Sequence, residues 1–451
     1  SSDLDGEIVF SIEEERLTRF KYDGGPLAAM QKILEYTDKL DYLVIAHTTH
    51  KDTAGKIDFT GDDMYTGFAR KLGLISRKEK PFDHPQVIDL SHFHHKLHAA
   101  AAFYRSGFSE AVAVIIDGAG TFINLNFGNE SITGWETESI YECAYPAWFN
   151  TVYKHIGTRG PMAGILAKEF DSGIYQEPGR THEALITDRA GITKVYEAVT
   201  RYCGWEPIEA GKTMGLSSYG KFDENIPPIF INGKGNKNIL RPLYPAGAFI
   251  EENRFPYLMR NVQPHEWHRD FAVVEEKYKN IAWRVQKETE ELVGNLIQKA
   301  ADETGETNIV ISGGYALNCV ANYYYKKRFP NLNIYVDPIA HDGGSAIGLA
   351  LFVWYSKSQE TTPHKLNSVY LSTTPDYNDV GTILENNKNI DIKDVEYSDI
   401  VDLLINQNIV ALFQGRAEAG PRALGNRSIL FDPRVIDGKD IVNRVKGREW
   451  F

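Results

Sequence analysis

Three times along this chain a short apolar run ends in a glycine turn and hands over to a new element. The runs close at Ile116, Ile311 and, after a few loop residues, Val336; the turns are Asp117-Gly118-Ala119-Gly120, Gly313-Gly314 and Asp342-Gly343-Gly344. Each reads as strand, glycine turn, helix. Backbone N–H groups at such a helix start, with no Cβ to block approach, suit a phosphate or an adenosine. Glycine pairs also punctuate ordinary loops, but two of these turns carry an aspartate. Residues 7–11, 42–46, 87–90 and 112–116 read as strands, with helical patterns over 26–36 and 94–105 between them. That alternation predicts an α/β fold with an at least partly parallel sheet.

A second α/β stretch comes next. Residues 271–301 form a helical pattern, with Tyr278, Ile281, Ala282, Val285, Leu292, Val293, Leu296 and Ile297 at three-to-four spacing, and Gly305 stands where a C-cap belongs. Strands are predicted over 308–312 and 333–336, and a helix over 345–355. The glycine-, proline- and aromatic-rich regions 157–190 and 222–268 are expected to be insertions and loops rather than core. From 356 to about 375 the chain turns polar and reads as a linker, after which a helix over 400–407 and a strand over 409–414 open a new unit.

His94 and His98 are four apart, so on a helix they stand on one face. Two imidazoles so placed can share a divalent cation, with a carboxylate from a nearby strand end completing the set; His95 with His98 is the second choice. Asp117 can equally cap a turn, Asp342 can be the N-cap of the following helix, and Lys212 can be a plain loop lysine.

At 451 residues two or three structural units are expected. A hydrophobic content of 42% with 24% charged residues is that of an ordinary globular protein. No apolar run approaches the roughly 20 residues of a membrane span, and the first residues carry no secretory signal pattern. Three cysteines without metal-like spacing fit a reducing compartment, so a cytoplasmic protein is expected. The net charge of −12 disfavours a generic nucleic-acid surface. Tyr323-Tyr324-Tyr325-Lys326-Lys327-Arg328-Phe329 mixes aromatics with cations, and its plain reading is an exposed helix end.

Gly420-Pro421-Arg422-Ala423-Leu424-Gly425-Asn426-Arg427, together with the terminal segment from Asn443 through Lys446 and Arg448 to Phe451, closely resembles the carboxyl half of the O-carbamoyltransferases that decorate antibiotics and nodulation factors. Glu13-Glu14-Glu15-Arg16-Leu17-Thr18-Arg19, His94-His95-Lys96-Leu97-His98, Gly211-Lys212-Thr213-Met214-Gly215-Leu216 and Gly313-Gly314-Tyr315-Ala316-Leu317-Asn318-Cys319 are similar to further motifs of that family. Two departures stand out. A strand and a His-Asp turn that family members carry upstream, with a catalytic histidine, are missing, and roughly a hundred residues that should come after Phe451 are missing too, so a truncated second domain is expected.

The resemblance implies a Kae1-like, two-lobed domain of the actin-like ATPase superfamily over 1–357, a linker over 358–375, and the start of a YrdC-like α/β domain over 376–451. It implies an ATP-dependent transfer: carbamoyl phosphate and ATP, with magnesium, give a carbamoyl-adenylate, and the carbamoyl group then moves to an acceptor hydroxyl. On that pattern His94, His98, Asp117 and Asp342 hold a divalent cation, iron(II) in the family, and carry the catalysis. Gly313, Gly314 and Asn318 contact adenosine, Gly118 and Gly120 lie near the phosphates, and Lys212 supplies a point charge. Arg422, Arg427, Lys446 and Arg448 begin the carbamoyl-phosphate and ATP site, because guanidinium forks match phosphate oxygens. The expected acceptor is a small molecule or natural product. A hydroxymethyl group on a nucleotide or DNA base is the alternative, disfavoured by charge; a Kae1-type threonylcarbamoyl transferase, a non-catalytic nucleotide-binding module and a sugar kinase complete the field. A homodimer is the default assembly.

Overall fold

The computed structural model describes the chain apart from residues 1, 4, 50–55, 58–61, 77–83, 128–129, 159–164, 171–181, 244–245, 260–274, 375–377, 388 and 391–392. It divides into two compact units, Ser1–Glu7 with Glu13–Leu366, and Ile8–Ile12 with Asn367–Phe451.

In the first unit, helices α1 (Glu14–Thr18), α2 (Leu27–Ile33) and α3 (Met64–Leu72) accompany the short strands β1 (Leu43–Ile45), β2 (Lys56–Ile57), β3 (Asp62–Asp63) and β4 (Val87–Asp89). Met30, Ala69, Leu74 and Ile75 form their shared core. Then come α4 (His94–Ser106) and the strands β5 (Glu110–Ile116), β6 (Phe122–Phe127), β7 (Glu130–Ala144), β8 (Trp148–Thr158), β9 (Ile165–Phe170) and β10 (His182–Thr187). Helices α5 (Ile192–Tyr202) and α6 (Ala210–Ser217) lead to two hairpins, β11 (Phe230–Ile231) with β12 (Lys234–Gly235) and β13 (Leu240–Leu243) with β14 (Gly247–Ile250). The unit closes with α7 (Glu276–Thr304), β15 (Asn308–Ser312), α8 (Cys319–Arg328), β16 (Asn333–Val336) and α9 (Asp342–Ser358).

One eight-stranded mixed sheet organises this unit, in the order β16-β15-β5-β7-β8-β10-β9 with β6 on β7. β16, β15 and β5 run parallel, β7 is antiparallel to both β5 and β8, and β10 is parallel to β8. β5 is apolar from Ala111 to Ile116 because both its faces are covered and all six residues are buried. Every residue of α4 is buried. Its alanine run lets α9 approach so closely that a Cβ at Gly348 would lie 2.1 Å from the Leu97 carbonyl oxygen. α7 buries Ile281, Val285, Val293 and Ile297 and ends at Gly305, whose φ of 73° is the left-handed C-cap the sequence predicts.

Four expectations change. Residues 7–11 form no strand: Ser11 N–H donates to Leu371 O at 2.8 Å and Val9 O accepts from Arg416, so the segment is tied by single bonds rather than a ladder. The Asp117–Gly120 turn leads into β6, not a helix. Residues 157–190 are not merely insertion, since β9 and β10 sit in the main sheet and His182–Thr187 alternates buried and half-buried. Within 222–268 the two hairpins and the buried Ile226, Ile229, Ile239 and Leu258 add to the core. The long helix begins at Glu276; residues 271–274 lie outside the described set.

The second unit holds α10 (Asn378–Glu385), α11 (Tyr397–Ile405), the antiparallel pair β17 (Val410–Phe413) and β18 (Arg427–Leu430), and α12 (Gly438–Lys446). Glu418 organises it: one carboxylate oxygen accepts the N–H groups of Leu424 and Asn426 at 2.7 and 2.8 Å. The residues read as a linker divide between the units at 366/367. Among the described residues no helix is long and apolar enough to cross a membrane.

Candidate metal centre and its glycine turns

Helix α4 opens with His94, so His94 and His98 share one face a single turn apart, with their Nε2 atoms 3.3 Å from each other. Asp117 stands one residue beyond β5, and Asp342 is the first residue of α9; the N-cap position before it is His341, whose side chain makes no capping hydrogen bond. His94 Nε2 lies 3.5 Å from both Asp117 Oδ2 and Asp342 Oδ1, and His98 Nε2 lies 3.3 Å from Asp342 Oδ1. One ligand atom from each of the four residues falls within 4.8 Å of the others. Ligands about 2.1 Å from one cation stand roughly 3.0–3.4 Å apart, so the convergence has the dimensions of a shared site. His94, His98 and Asp117 are buried, whereas the Asp342 side chain remains 70% exposed and marks the solvent side.

The donor chemistry fits as well. His98 Nδ1 lies 3.5 Å from Ser312 Oγ, whose own proton goes to Ala340 O, so this oxygen is free to accept from Nδ1 and leave Nε2 as a ligand. Burial alone would lower the His94 imidazole, but the Asp117 and Asp342 carboxylates override it and raise it to about 10. Burial and the neighbouring Asp342 push the Asp117 carboxyl up, yet His94 and His98 outweigh them and hold it well below its usual range. A site that stabilises positive charge this strongly is one that a divalent cation can occupy.

The two glycine turns meet here. Asp117 Oδ1 accepts the Gly314 N–H at 2.9 Å. Gly313, at φ 94°, packs so tightly on β5 that a Cβ would lie 2.3 Å from Ile116 O. Gly120 is equally constrained, since a Cβ there would lie 2.4 Å from His95 Cδ2. Gly118 adjoins Lys194, whose Nζ would lie 3.0 Å from a Cβ at that position.

His95 faces away from the four ligands: its Nδ1 bonds Ser139 Oγ at 2.8 Å, its Nε2 is buried without a hydrogen-bond partner, and burial lowers its pKa to about 4. The second-choice pair is thereby excluded. Beside it, Glu136 takes the Thr121 N–H at 2.9 Å and an ion pair from the fully buried Lys154, while Thr121 Oγ1 accepts the backbone N–H of His94 at 3.3 Å.

The other predicted residues scatter. Asn318 is buried, N-caps α8 through Ala321 N at 3.1 Å and pairs its amide with Gln286. Lys212 lies on α6, 2.9 Å from Glu209. In the second unit Arg427 covers the Phe413 ring at 3.7 Å and donates to the Gln414 and Gly415 carbonyls, whereas Arg422, Lys446 and Arg448 are exposed. In the 323–329 cluster Arg328 binds Glu291 at 3.0 Å and Lys327 lies over Tyr323, so it is a helix end folded on itself. Sequence reasoning passed over Lys194, Glu197 and the pair formed by His341 Nε2 with Glu13 Oε1 at 2.6 Å, next to Asp342 in the chain. The lysine had a signal, a cation in the first turn of a helix, and Glu13 opens a segment similar to a family motif; Glu197 and His341 had none.

A family model described as carbamoyltransferase N-terminus matches residues 45–351, and one described as carbamoyltransferase C-terminus matches 401–451. The nodulation protein NolO of Bradyrhizobium diazoefficiens is 29% identical over 366 residues, covering 79% of this chain and 56% of that protein. A 3'-hydroxymethylcephem-O-carbamoyltransferase of Amycolatopsis lactamdurans is 32% identical over 168 residues, 36% of this chain and 30% of that protein. Full-length HypF, crystallised with phosphate and nucleotide, aligns at a TM-score of 0.35 and 15% identity over 69% of this chain and 46% of its own, a score too low to argue from. The chain thus spans 56% of the NolO length.

Proposed function

This chain belongs to the carbamoyltransferase family, and from that premise we propose that it is part of an ATP-dependent O-carbamoyltransferase acting on a hydroxyl of a small molecule or natural product. Carbamoyl phosphate, water and ATP give carbamoyl-adenylate, phosphate and pyrophosphate. The acceptor oxygen then attacks the carbamoyl carbon, the bond to AMP breaks, and the hydroxyl proton is released to solvent with the departing AMP. Carbamate is a poor electrophile, and AMP supplies the leaving group it lacks.

The observation that carries this reading is the convergence of His94, His98, Asp117 and Asp342 where two glycine turns meet. These four would hold the divalent cation, iron(II) in our reading, which supplies Lewis acidity toward the carbonyl or phosphoryl oxygen. Asp117 orients the Gly313-Gly314 turn through the Gly314 N–H, and that turn takes the adenosine. The backbone of the Gly118–Gly120 turn would take the phosphate. The first unit is read as Kae1-like and the second as the start of a YrdC-like domain contributing Arg422, Arg427, Lys446 and Arg448 to the adenylation step. The net charge of −12 favours a small acceptor over DNA.

Incubation with carbamoyl phosphate, Mg-ATP and a panel of hydroxylated sugars, antibiotic precursors, nucleosides and hydroxymethylated DNA, read by mass spectrometry, tests the assignment. A carbamoyl increment on a small acceptor, dependent on both ATP and carbamoyl phosphate, is expected. An increment on DNA alone moves the acceptor class, and ATP-independent transfer removes the adenylate.

A further inference from the structure

Helix α5 begins oddly. Its first backbone N–H, that of Ile192, donates to Glu138 Oε1 at 2.7 Å, and its first turn contains Lys194 and no acidic residue. A cation there opposes the helix dipole, so helix formation gives no reason for it. One turn later Glu197 holds it, with Nζ 3.0 and 2.9 Å from the two carboxylate oxygens and both side chains only 19% exposed. The pair overhangs the Asp117–Gly120 turn: a Cβ on Gly118 would lie 3.0 Å from Lys194 Nζ and 3.2 Å from Glu197 Oε1.

The turn itself has capacity left. Gly120 N–H donates to Glu136 O at 2.9 Å and Thr121 N–H to Glu136 Oε2 at 2.9 Å. The N–H groups of Gly118 and Ala119 take no hydrogen-bond partner among the described residues, and both residues are half-buried. Two N–H groups with no partner among the described residues thus lie in the turn that the Lys194 ammonium overhangs, next to Asp117.

We propose that Lys194 grips the phosphate of the adenylate at this turn, exchanging part of its bond to Glu197 for a phosphoryl oxygen. The inference rests on the carbamoyl-adenylate reading and adds the residue that fixes the leaving group. An ammonium has three donors on a flexible stem, so it can keep one on Glu197 while turning another to phosphate. Glu197 is a restrained competitor, because burial pushes its carboxyl up against the pull of Lys194, and the Asp117 charge adds to that push. A Cβ at Gly118 would crowd the tip of that lysine.

Calorimetric titration of AMP and of adenosine into the protein, Lys194→Met and Lys194→Arg decides it. Methionine keeps the stem and removes the charge. The wild type is expected to bind AMP more tightly than adenosine. Lys194→Met loses about tenfold or more of the AMP affinity with adenosine unmoved, and Lys194→Arg retains most of it. An unchanged AMP affinity in Lys194→Met, or an equal loss for AMP and adenosine, overturns the assignment of Lys194 and leaves the carbamoyltransferase reading in place. Wild type that binds neither compound overturns the nucleotide site and this inference with it. Should Lys194→Met not fold, Glu197→Gln puts the same question: it frees the ammonium, so AMP binding tightens several-fold, and AMP affinity that stays level or falls counts against the proposal.

Discussion

His98 is the ligand whose removal asks the cleanest question, because it lies in the interior of α4 and alanine continues a helix well. His98→Ala is expected to lower divalent-cation affinity by at least the roughly 10–100-fold that loss of a supporting outer partner costs, and to abolish turnover while the far-ultraviolet spectrum holds. Undiminished metal content under anaerobic conditions, with product still formed, would sink the proposed centre. The histidine pair was legible locally by its i, i+4 spacing, whereas Asp117 and Asp342 read equally as a turn cap and an N-cap and joined the set only through the family resemblance. The buried Lys154–Glu136 pair was not legible, since nothing in β8 or β7 distinguishes a charged residue inside the sheet from one outside. Removing one partner strands the other, so Lys154→Met should cost about 3–5 kcal/mol, and adding Glu136→Gln should recover a good part of it. Urea unfolding of the single and double variants separates that outcome from a pair worth nothing.

At the scale of elements, position is set by contacts the sequence displays unevenly. Strand 308–312 was readable because a parallel central strand is apolar on both faces, whereas 333–336, the half-buried edge strand, shows only a short β-branched and aromatic run. β7 hid itself, since Glu136, Thr137, Glu138 and Ser139 are buried by polar partners and break the alternation that marks a strand. The turn after Ile116 misled because glycines mark a turn equally well before a strand or a helix. Two elements hold the site by close approach. Gly348 lets α9, and with it Asp342, lie against α4, so Gly348→Val is expected to destabilise by about 1–3 kcal/mol or more and to weaken cation binding along with it; full cation affinity in a folded Gly348→Val would show that the contact does not position Asp342. Glu138 pins the start of α5 and is held by His155 at 2.5 Å. Burial pushes its carboxyl up, but the charge and hydrogen bond of His155, with hydrogen bonds from the Ile192 N–H and Thr137, hold it below its ordinary value. A depressed folded pKa stabilises above the unfolded value near 4.5 and is lost as pH falls through the folded one. The thermal midpoint should therefore drop below about pH 4.5, and Glu138→Gln, less stable at pH 7, should lose less over the same interval.

For the whole molecule, the unit boundary at 366/367 places all four candidate ligands in the first unit. They come from residues 94 to 342, so a cation that binds them links α4, the end of β5 and the start of α9 across most of that unit's sequence. Such a ligand binds the folded state and not the unfolded chain, and at one hundred times its dissociation constant it adds about 2.7 kcal/mol of stability. The consequence is a melting midpoint that rises with divalent-cation concentration and falls on addition of a chelator. The same titration on His98→Ala should give a flat line, because a cation that stabilised through exposed carboxylates elsewhere on a chain of net charge −12 would act on both proteins alike. Equal shifts in the two proteins would assign the effect to that general surface charge and take the cation away from the four-residue centre.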